Sequence, residues 1–253
     1  MRNSFVIAKN TFKQAIRDKI LYGILIFALL FIGSVVVLSS LSLGEDIFVI
    51  RSFGLAGIYL FGLIITLFLG ASIVYDEVER KTSYFLLAKP VTRADIINGK
   101  FLGLLAAVGV TTLLMTVAYL AIVMLNGGMF DQMAFLAVGL QLFEMAILIG
   151  TLILFSVFTT PLAAIIYTIL IVYIGHLLSV IKDYALKSGG GGKYILMAVY
   201  YIFPNLEKFN IRNLAVHQLQ ISSTEILLTA GYAIVYIILL LFFAKTLLNR
   251  KEF

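Results

Sequence analysis

Few side chains in this sequence could carry out chemistry, and their types exclude most catalytic centres. The chain of 253 residues contains no cysteine, which excludes disulfides, thiolate zinc sites and a cysteine nucleophile. Its two histidines, His176 and His217, are too few for a multi-histidine metal cage. The residue types therefore predict no metal site in this chain.

Two Gly-Lys pairs could belong to a phosphate-binding loop, but neither has the required pattern G-x-x-x-x-G-K-[ST]. The pair at 99–100 has Ala94 where the first glycine belongs, and the pair at 192–193 has Lys187 there. Tyr194 also replaces the Ser or Thr that should follow the second pair. The sequence thus predicts that this chain holds no cofactor and does not hydrolyse ATP by itself.

The carboxylates at 76–79, followed by Arg80, superficially resemble the E-E-x-x-x-R motif of membrane-embedded prenyl endopeptidases. The first carboxylate is Asp76 rather than a glutamate, however, and the arginine stands at the wrong offset. The chain also has no G-x-S-x-G nucleophile elbow. We therefore expect no catalytic residues, which means that the chain is not an enzyme.

Glu144 is the only acid deep within an apolar run, which makes it the intramembrane polar candidate. An ionised side chain at the centre of a bilayer costs roughly 2.5–3.5 kcal/mol and usually faces protein or a cavity. Glu144 is either a group on a substrate or proton path or, as we favour, a partner in an interhelical hydrogen bond to Gln141 or a threonine. For His176, pH sensing and metal binding are the alternatives to an ordinary polar contact near the outer boundary.

The elements that carry these residues are membrane-spanning helices. The chain is 62% apolar and 13% charged, against about 45–50% and about 25% in soluble domains. Its apolar runs have the length of spanning helices, roughly 20 residues, rather than the alternation of barrel strands. The sequence predicts an all-α integral membrane fold, a single domain over residues 1–253. The six spans lie at about 21–42, 54–75, 101–125, 132–157, 161–181 and 226–247.

The lysines and arginines predict which side of the membrane each connection occupies. Thirteen of the 19 lie in the N-terminal segment, in the connection at 76–100 or at the C-terminus, which six spans place on one side. The positive-inside rule makes that side cytoplasmic, in a multi-pass protein of the cell (inner or cytoplasmic) membrane with both termini in the cytoplasm. Because the net charge of +6 is concentrated at that membrane surface, we expect the lipid bilayer and no nucleic acid as its partner.

Two segments outside the spans have helical patterns of their own. Residues 2–19 combine an apolar stripe with cations at helical spacing, which predicts an amphipathic interfacial helix or a flank that only sets the topology. The extracytoplasmic segment 182–225 contains an apolar stretch at 193–203 that is too short to span. That stretch suits a short re-entrant or interfacial helix before the last span. A periplasmic or extracellular partner on that side is left open.

The segment 76–100 has nine charges in 25 residues between nearly uncharged spans. Its acidic beginning favours a helix over Asp76–Lys89, which Pro90 ends. Thr92, with Asp95 three residues later, fits the capping box of the next helix. The pattern indicates a rigid cytoplasmic protrusion, and a plain solvated hairpin is the alternative.

The same segment resembles a known protein family in three motifs. Residues 77–82 (EVERKT), 86–93 (LLAKPVTR) and 96–100 (IINGK) are similar to motifs of the type-2 ABC transporter permeases. Those motifs are E-x-E-x-G-T, L-L-x-x-P-[IV]-[ST]-R and I-I-x-G-K, in the same order and spacing. Lys81 stands where that family usually has glycine, which leaves the local turn open. Residues 204–209 (PNLEKF) are similar to a subgroup that includes permeases linked to copper-enzyme maturation.

The resemblance implies the membrane-spanning permease subunit of an ABC transporter, an exporter that pairs with a second permease copy as a homodimer or pseudo-dimer. It also implies a cytoplasmic ABC ATPase subunit as partner, with ATP and Mg on that subunit. The implied ATPase contacts lie in the coupling segment 76–100 and in the connection between spans four and five. They are Asp76, Glu77, Glu79, Arg80, Lys81, Thr82, Pro90, Arg93, Thr159 and Thr160.

Two other functions remain as alternatives. A membrane anchor or assembly factor that transports nothing would keep the same cytoplasmic protrusion. A secondary transporter is less favoured, because such proteins usually show several buried ionisable groups and paired broken helices, and here only Glu144 is deeply buried. The sequence does not indicate the cargo.

Overall fold

The computed structural model describes residues 2–40, 46–79, 92–187 and 191–250, and every regular element in these ranges is helical. Six helices in these ranges are long and apolar enough to cross a membrane, which confirms the predicted all-α membrane fold. The elements in chain order are α1 (Arg2–Arg17), α2 (Lys19–Ser39), α3 (Asp46–Glu79), α4 (Arg93–Leu125), α5 (Gln132–Ser156), α6 (Pro161–Lys187), α7 (Gly191–Ile202), a 3-10 helix (Leu206–Phe209), α8 (Arg212–Val216) and α9 (Ser223–Arg250).

The helix α3 extends beyond the apolar run that predicted it. It begins at Asp46 rather than near residue 54, and it continues without a break through Asp76 to Glu79. No proline interrupts this stretch, so the helix does not have to end where the apolar residues end. Asp76 therefore lies in the last turn of α3 and does not begin a new helix. The rest of the predicted helix Asp76–Lys89 and the break at Pro90 lie outside the described residues.

The helix α5 lies at the centre of the bundle and packs against α3, α4, α6 and α9. In its most apolar stretch 72% of the residues are buried, against 22% in α6 and 11% in α9. The outward faces of α2, α6 and α9 carry exposed leucine, isoleucine and aromatic side chains, as expected of surfaces that contact lipid. A polar side chain on α5 is therefore enclosed by other helices.

Thr92 and Asp95 begin α4 with the predicted capping box, which is confirmed. The Thr92 hydroxyl oxygen accepts a hydrogen bond from the Asp95 backbone N–H at 3.1 Å, and the Asp95 carboxylate accepts one from the Thr92 N–H at 3.2 Å. The Ser4 hydroxyl of α1 donates to the other carboxylate oxygen of Asp95. The start of α4 is thus held both by its own cap and by α1.

Two glycines allow α1 to lie directly against the first half of α4. A Cβ on Gly99 would be 2.6 Å from Ile7 Cβ, and a Cβ on Gly103 would be 2.6 Å from the carbonyl oxygen of Ala8. Small residues at this four-residue spacing let helix backbones approach closely. The position of α1 in the lipid headgroup layer stays a prediction.

The substitution Gly103→Ala tests this contact. Alanine is normally favoured over glycine inside a helix by roughly 0.5–1 kcal/mol, but here its Cβ would collide with backbone atoms of α1. We expect the variant to unfold at a lower temperature than the original protein in detergent, measured as loss of the monodisperse peak in size-exclusion chromatography after heating.

The matched control is Gly109→Ala in the same helix, because a Cβ at Gly109 meets no atom within 4 Å. We expect this control to be neutral or stabilising. Equal effects of the two substitutions would contradict the close contact between α1 and α4.

Candidate functional site

Three side chains from three helices meet inside the bundle. The Tyr59 hydroxyl of α3 donates to Glu144 Oε1 of α5 at 2.9 Å and lies 2.8 Å from His176 Nε2 of α6. The same imidazole nitrogen lies 3.0 Å from Glu144 Oε1. The side chain of Glu144 is only 1% exposed, so these groups enclose its carboxylate.

The chain that follows α7 continues this network. His176 Nδ1 lies 2.9 Å from Oε2 of Glu207 in the 3-10 helix. Asn210 Nδ2 donates to Glu207 Oε1 at 3.2 Å, and Arg212 Nε donates to Asn210 Oδ1 at 2.9 Å. The Arg212 guanidinium also lies 3.9 Å from the ring centre of Tyr59, a cation–π contact that closes the network. We name this group the His176 cluster: Tyr59, Glu144, His176, Glu207, Asn210 and Arg212.

A glycine and a proline bring the 3-10 helix to α6. Pro204 follows the end of α7, which proline cannot continue. Gly175 leaves room for the incoming chain, because a Cβ there would be 2.7 Å from Leu206 Cγ and 2.8 Å from the Pro204 carbonyl oxygen. Leu206 is fully buried in this contact. Since Gly175 precedes His176 directly, the close approach places Glu207 beside the imidazole.

Exposure increases along the cluster from its inner to its outer end. The exposed fraction of the side chain is 1% for Glu144, 21% for His176 and 40% for Glu207. Ionised carboxylates only accept hydrogen bonds, and both ring nitrogens of His176 face carboxylate oxygens. The arrangement can therefore hold a proton between two acids and exchange it through the outer one.

The His176 cluster is not arranged as a metal site. Each imidazole nitrogen lies within hydrogen-bond distance of a carboxylate oxygen. Among the residues that the structure describes, no group of three or more His, Asp or Glu side chains could hold a metal ion.

A second polar cluster connects the N-terminal parts of α3 and α5. Arg51 Nε lies 3.2 Å from Asp131 Oδ2, and both side chains are largely or fully buried. Asp131 Oδ1 also caps α5 by accepting from the Ala134 N–H at 2.9 Å. With its amide oxygen turned toward the guanidinium, Gln218 accepts from Arg51 at 2.8 and 3.1 Å. The residues just after α8 are thereby fixed to both helices.

The sequence indicated Glu144 and His176 separately but did not bring them together. Glu144 has an interhelical hydrogen bond, but its partner is Tyr59 and not Gln141, whose amide donates to the carbonyl oxygen of Ile58 at 3.2 Å. One signal was available: a carboxylate in a bilayer needs a compensating positive charge, and His176 is the only basic side chain within the predicted spans other than Lys245 in the last one. Nothing in the sequence pattern indicated Tyr59.

The implied ATPase contacts in the coupling segment are only partly covered by the structure. Asp76, Glu77 and Glu79 lie in the last turn of α3, which places them on a helix that continues directly from the membrane. The remaining residues of this group lie outside the described part of the chain: Arg80, Lys81, Thr82 and Pro90.

The other implied ATPase contacts have structural partners within the permease. Arg93, next to the cap of α4, donates through Nη1 to the carbonyl oxygen of Leu248 near the end of α9. Basic side chains satisfy helix C-terminal carbonyls in this way. Thr159 and Thr160 form the tight connection between α5 and α6, where the Thr159 hydroxyl donates to the Phe155 carbonyl oxygen at 2.8 Å. Arg93 thus helps to hold α4 and α9 together.

Comparison with known families matches residues 5–249 to the family described as ABC-2 family transporter protein. The matched range includes the His176 cluster and nearly all of the six long helices. The chain belongs to the ABC-2 transporter family. It is thus a multi-pass membrane protein and an ABC permease subunit, and the family implies an ATPase partner. Comparison with curated proteins finds no match. The relationship of this ABC-2 permease to the copper-maturation subgroup stays a prediction.

A double-mutant cycle tests the contact between Glu144 and His176 in the ABC-2 permease. We expect Glu144→Ala and His176→Ala each to destabilise the protein, and the double variant to be less destabilised than the sum. The coupling should be about 0.5–3 kcal/mol, as for residues within one hydrogen-bond network. Unfolding by SDS in mixed micelles measures the free energies.

The control cycle pairs Glu144→Ala with His217→Ala, because His217 contacts the ring of Phe48 and lies outside the cluster. Its coupling should be close to zero. Additive effects of Glu144→Ala and His176→Ala would show that the two side chains do not interact in the folded protein.

Proposed function

We propose that this chain is the membrane subunit of an ABC exporter, in which a separate ATPase drives movement of a substrate across the membrane. The observation that carries the proposal is the family match over residues 5–249, on a chain with six spanning helices. ATP and Mg bind to the ATPase subunit in this proposal. Transport away from the cytoplasm is the direction that the resemblance implies.

The continuous helix α3 supports a mechanical role in coupling. Its last turn carries Asp76, Glu77 and Glu79, the first residues of the proposed ATPase contact, and its membrane part carries Tyr59 of the His176 cluster. Tyr59 and Glu79 are 20 positions apart, which corresponds to about 30 Å of uninterrupted helix. A rigid helix of this length can transmit a displacement at the ATPase surface to the interior of the bundle.

In this proposal the ATPase also contacts the connection between α5 and α6 and the start of α4, which is held in place by other helices of the permease. The connection with Thr159 and Thr160 provides a second, smaller ATPase contact. The capped start of α4 is held by α1 and, through Arg93, by the end of α9. Because α1, α4 and α9 are joined at this surface, it resists local deformation. A force from the ATPase therefore moves the helices rather than bending one loop.

The proposed assembly has two permease copies and two ATPase subunits in the cell membrane. The weakly buried helices α6 and α9 offer broad apolar faces for lipid or for the second copy. Both termini lie in the cytoplasm, as the distribution of lysine and arginine favours.

Glu79→Ala tests the coupling role in the complex with the ATPase. Losing one charged contact at the interface should weaken binding of the ATPase by about 1.4 kcal/mol, which corresponds to about tenfold in affinity. We expect the ATPase subunit to copurify less and its stimulation by the permease to fall at a fixed subunit concentration.

The matched control is Glu225→Ala, which removes an exposed acid at the opposite end of the bundle, near the start of α9. It should leave both readouts unchanged. If Glu79→Ala also leaves them unchanged, the coupling role of this segment is wrong. If the ATPase binds but is never stimulated and nucleotide causes no movement of the helices, a non-transporting anchor explains the chain better.

The orientation can be tested with single cysteines, because the chain has none of its own. We place them at Thr160 and Leu219, two exposed positions on opposite sides of the predicted topology. In intact cells a membrane-impermeant maleimide should label Leu219→Cys, and should label Thr160→Cys only after the cells are opened. The reverse pattern would overturn the cytoplasmic location of the termini.

A further inference from the structure

We propose that the His176 cluster is a proton-binding site, and that the bound proton holds residues 204–216 against α3, α5 and α6. We name these residues the outer segment. It comprises Pro204, the 3-10 helix, α8 and the residues between them. The ligand of the site is a single proton, which reaches it from the side of the membrane on which the outer segment lies.

A proton on each nitrogen of His176 satisfies the hydrogen-bond geometry of the cluster. Nδ1 faces Glu207 Oε2 at 2.9 Å, and Nε2 faces Glu144 Oε1 at 3.0 Å. Since the Tyr59 hydroxyl donates to Glu144, it does not supply a proton to Nε2 at the same time. A neutral imidazole would therefore turn one lone pair toward a carboxylate oxygen, whereas the doubly protonated form donates to both acids.

The charges of the cluster lead to the same proton count. Glu144 and Glu207 contribute two negative charges, and Arg212, over the ring of Tyr59, contributes one positive charge. One positive charge is missing in an enclosed region where an uncompensated carboxylate is costly. A proton on His176 supplies it.

The other charged and titratable groups around the site have different partners in the described residues. On α6 itself, the Lys182 ammonium lies 5.3 Å from the ring centre of Tyr200, which α7 contributes. In the 3-10 helix, Lys208 lies 4.6 Å from the ring centre of Tyr232 on α9. On α3, Arg51 pairs with the acid that caps α5. The imidazole therefore faces Tyr59, the two glutamates and, across the Tyr59 ring, Arg212.

The contact of the outer segment with α3, α5 and α6 depends on this proton because its polar contacts to these three helices pass through the cluster. Glu207 reaches α6 through His176, and Arg212 is oriented by Asn210, which is itself bound to Glu207. When the imidazole is neutral, the carboxylate of Glu207 loses its donor and can turn to solvent, since it is already 40% exposed. The apolar anchors Leu206 and Phe209 would then be held by packing and by the neighbouring Asn205 N–H, which donates to the Tyr232 hydroxyl of α9 at 2.9 Å.

The proposal is tested by measuring how readily a buried residue of the outer segment becomes accessible to solvent. Ala215 in α8 is fully buried, and Ala215→Cys introduces the only thiol in the chain. The full-length permease is reconstituted in nanodiscs without ATPase or nucleotide, and the rate of reaction with a maleimide is measured. Each rate is divided by that of Leu219→Cys, an exposed position nearby, which cancels the intrinsic effect of pH on thiol reactivity.

We expect this ratio to rise by about tenfold between about pH 5 and about pH 8, the range in which histidine ordinarily loses its charge. His176→Gln forms hydrogen bonds but carries no charge, so its ratio should not depend on pH. His217→Gln is the matched control because it removes the only other histidine, which contacts Phe48 and lies outside the cluster. Its ratio should change with pH as it does in the Ala215→Cys protein with both histidines intact.

A labelling ratio that does not depend on pH in the Ala215→Cys protein with both histidines intact would overturn the proposal. A pH dependence that His217→Gln abolishes and His176→Gln does not would overturn it too. If His176→Gln does not give a monodisperse protein, the same labelling ratio is measured for Glu207→Gln. It lies at the exposed end of the cluster and removes the charge that the proton balances. It should reduce the change with pH, and an undiminished change would also overturn the proposal. Because no ATPase is present, the result is independent of the proposed exporter function.

Discussion

The enclosure of the Glu144 carboxylate constrains the rest of this bundle. A charged group that loses its partner in a region of low dielectric destabilises a protein by several kcal/mol, so the partners of Glu144 must stay in place. Three helices supply the groups that lie within 3.0 Å of one another around this carboxylate. The helices α3, α5 and α6 therefore cannot slide or rotate independently. Apolar contacts alone would not impose this, because lipid chains are as apolar as leucine.

Close backbone packing extends that constraint to the part of the chain after α7. Gly175 admits the Pro204 carbonyl to the surface of α6, and this places Glu207 at the outer nitrogen of His176. At the other end of α8, the buried pair Arg51 and Asp131 holds the following residues through Gln218. The short helix α8 thus lies between two polar clusters, and of these only the His176 cluster contains a histidine, the side-chain type that ordinarily changes charge near neutral pH.

The features predicted correctly from sequence depend on local information. Six spans follow from the lengths of apolar runs, and the cap of α4 follows from Thr92 and Asp95, which are three residues apart. The His176 cluster joins residues that are 85, 117 and 31 positions apart, and helix packing alone determines those contacts. The length of α3 was missed for another reason. Its acidic end looked like the start of a new element, whereas a helix continues into water when nothing in its sequence stops it.

The helix α3 connects the proposed function to the proton site. The contacts of Tyr59 are short hydrogen bonds of 2.8 and 2.9 Å, and such bonds are lost beyond about 3.5 Å. Helix shifts of about 1–2 Å are common in coupled transitions. A shift of that size, driven by an ATPase at the last turn of α3, would break the cluster. Because coupling between two sites is reciprocal, a bound proton that holds the cluster together must also oppose that movement. Deprotonation of His176 would then make the same displacement of α3 easier.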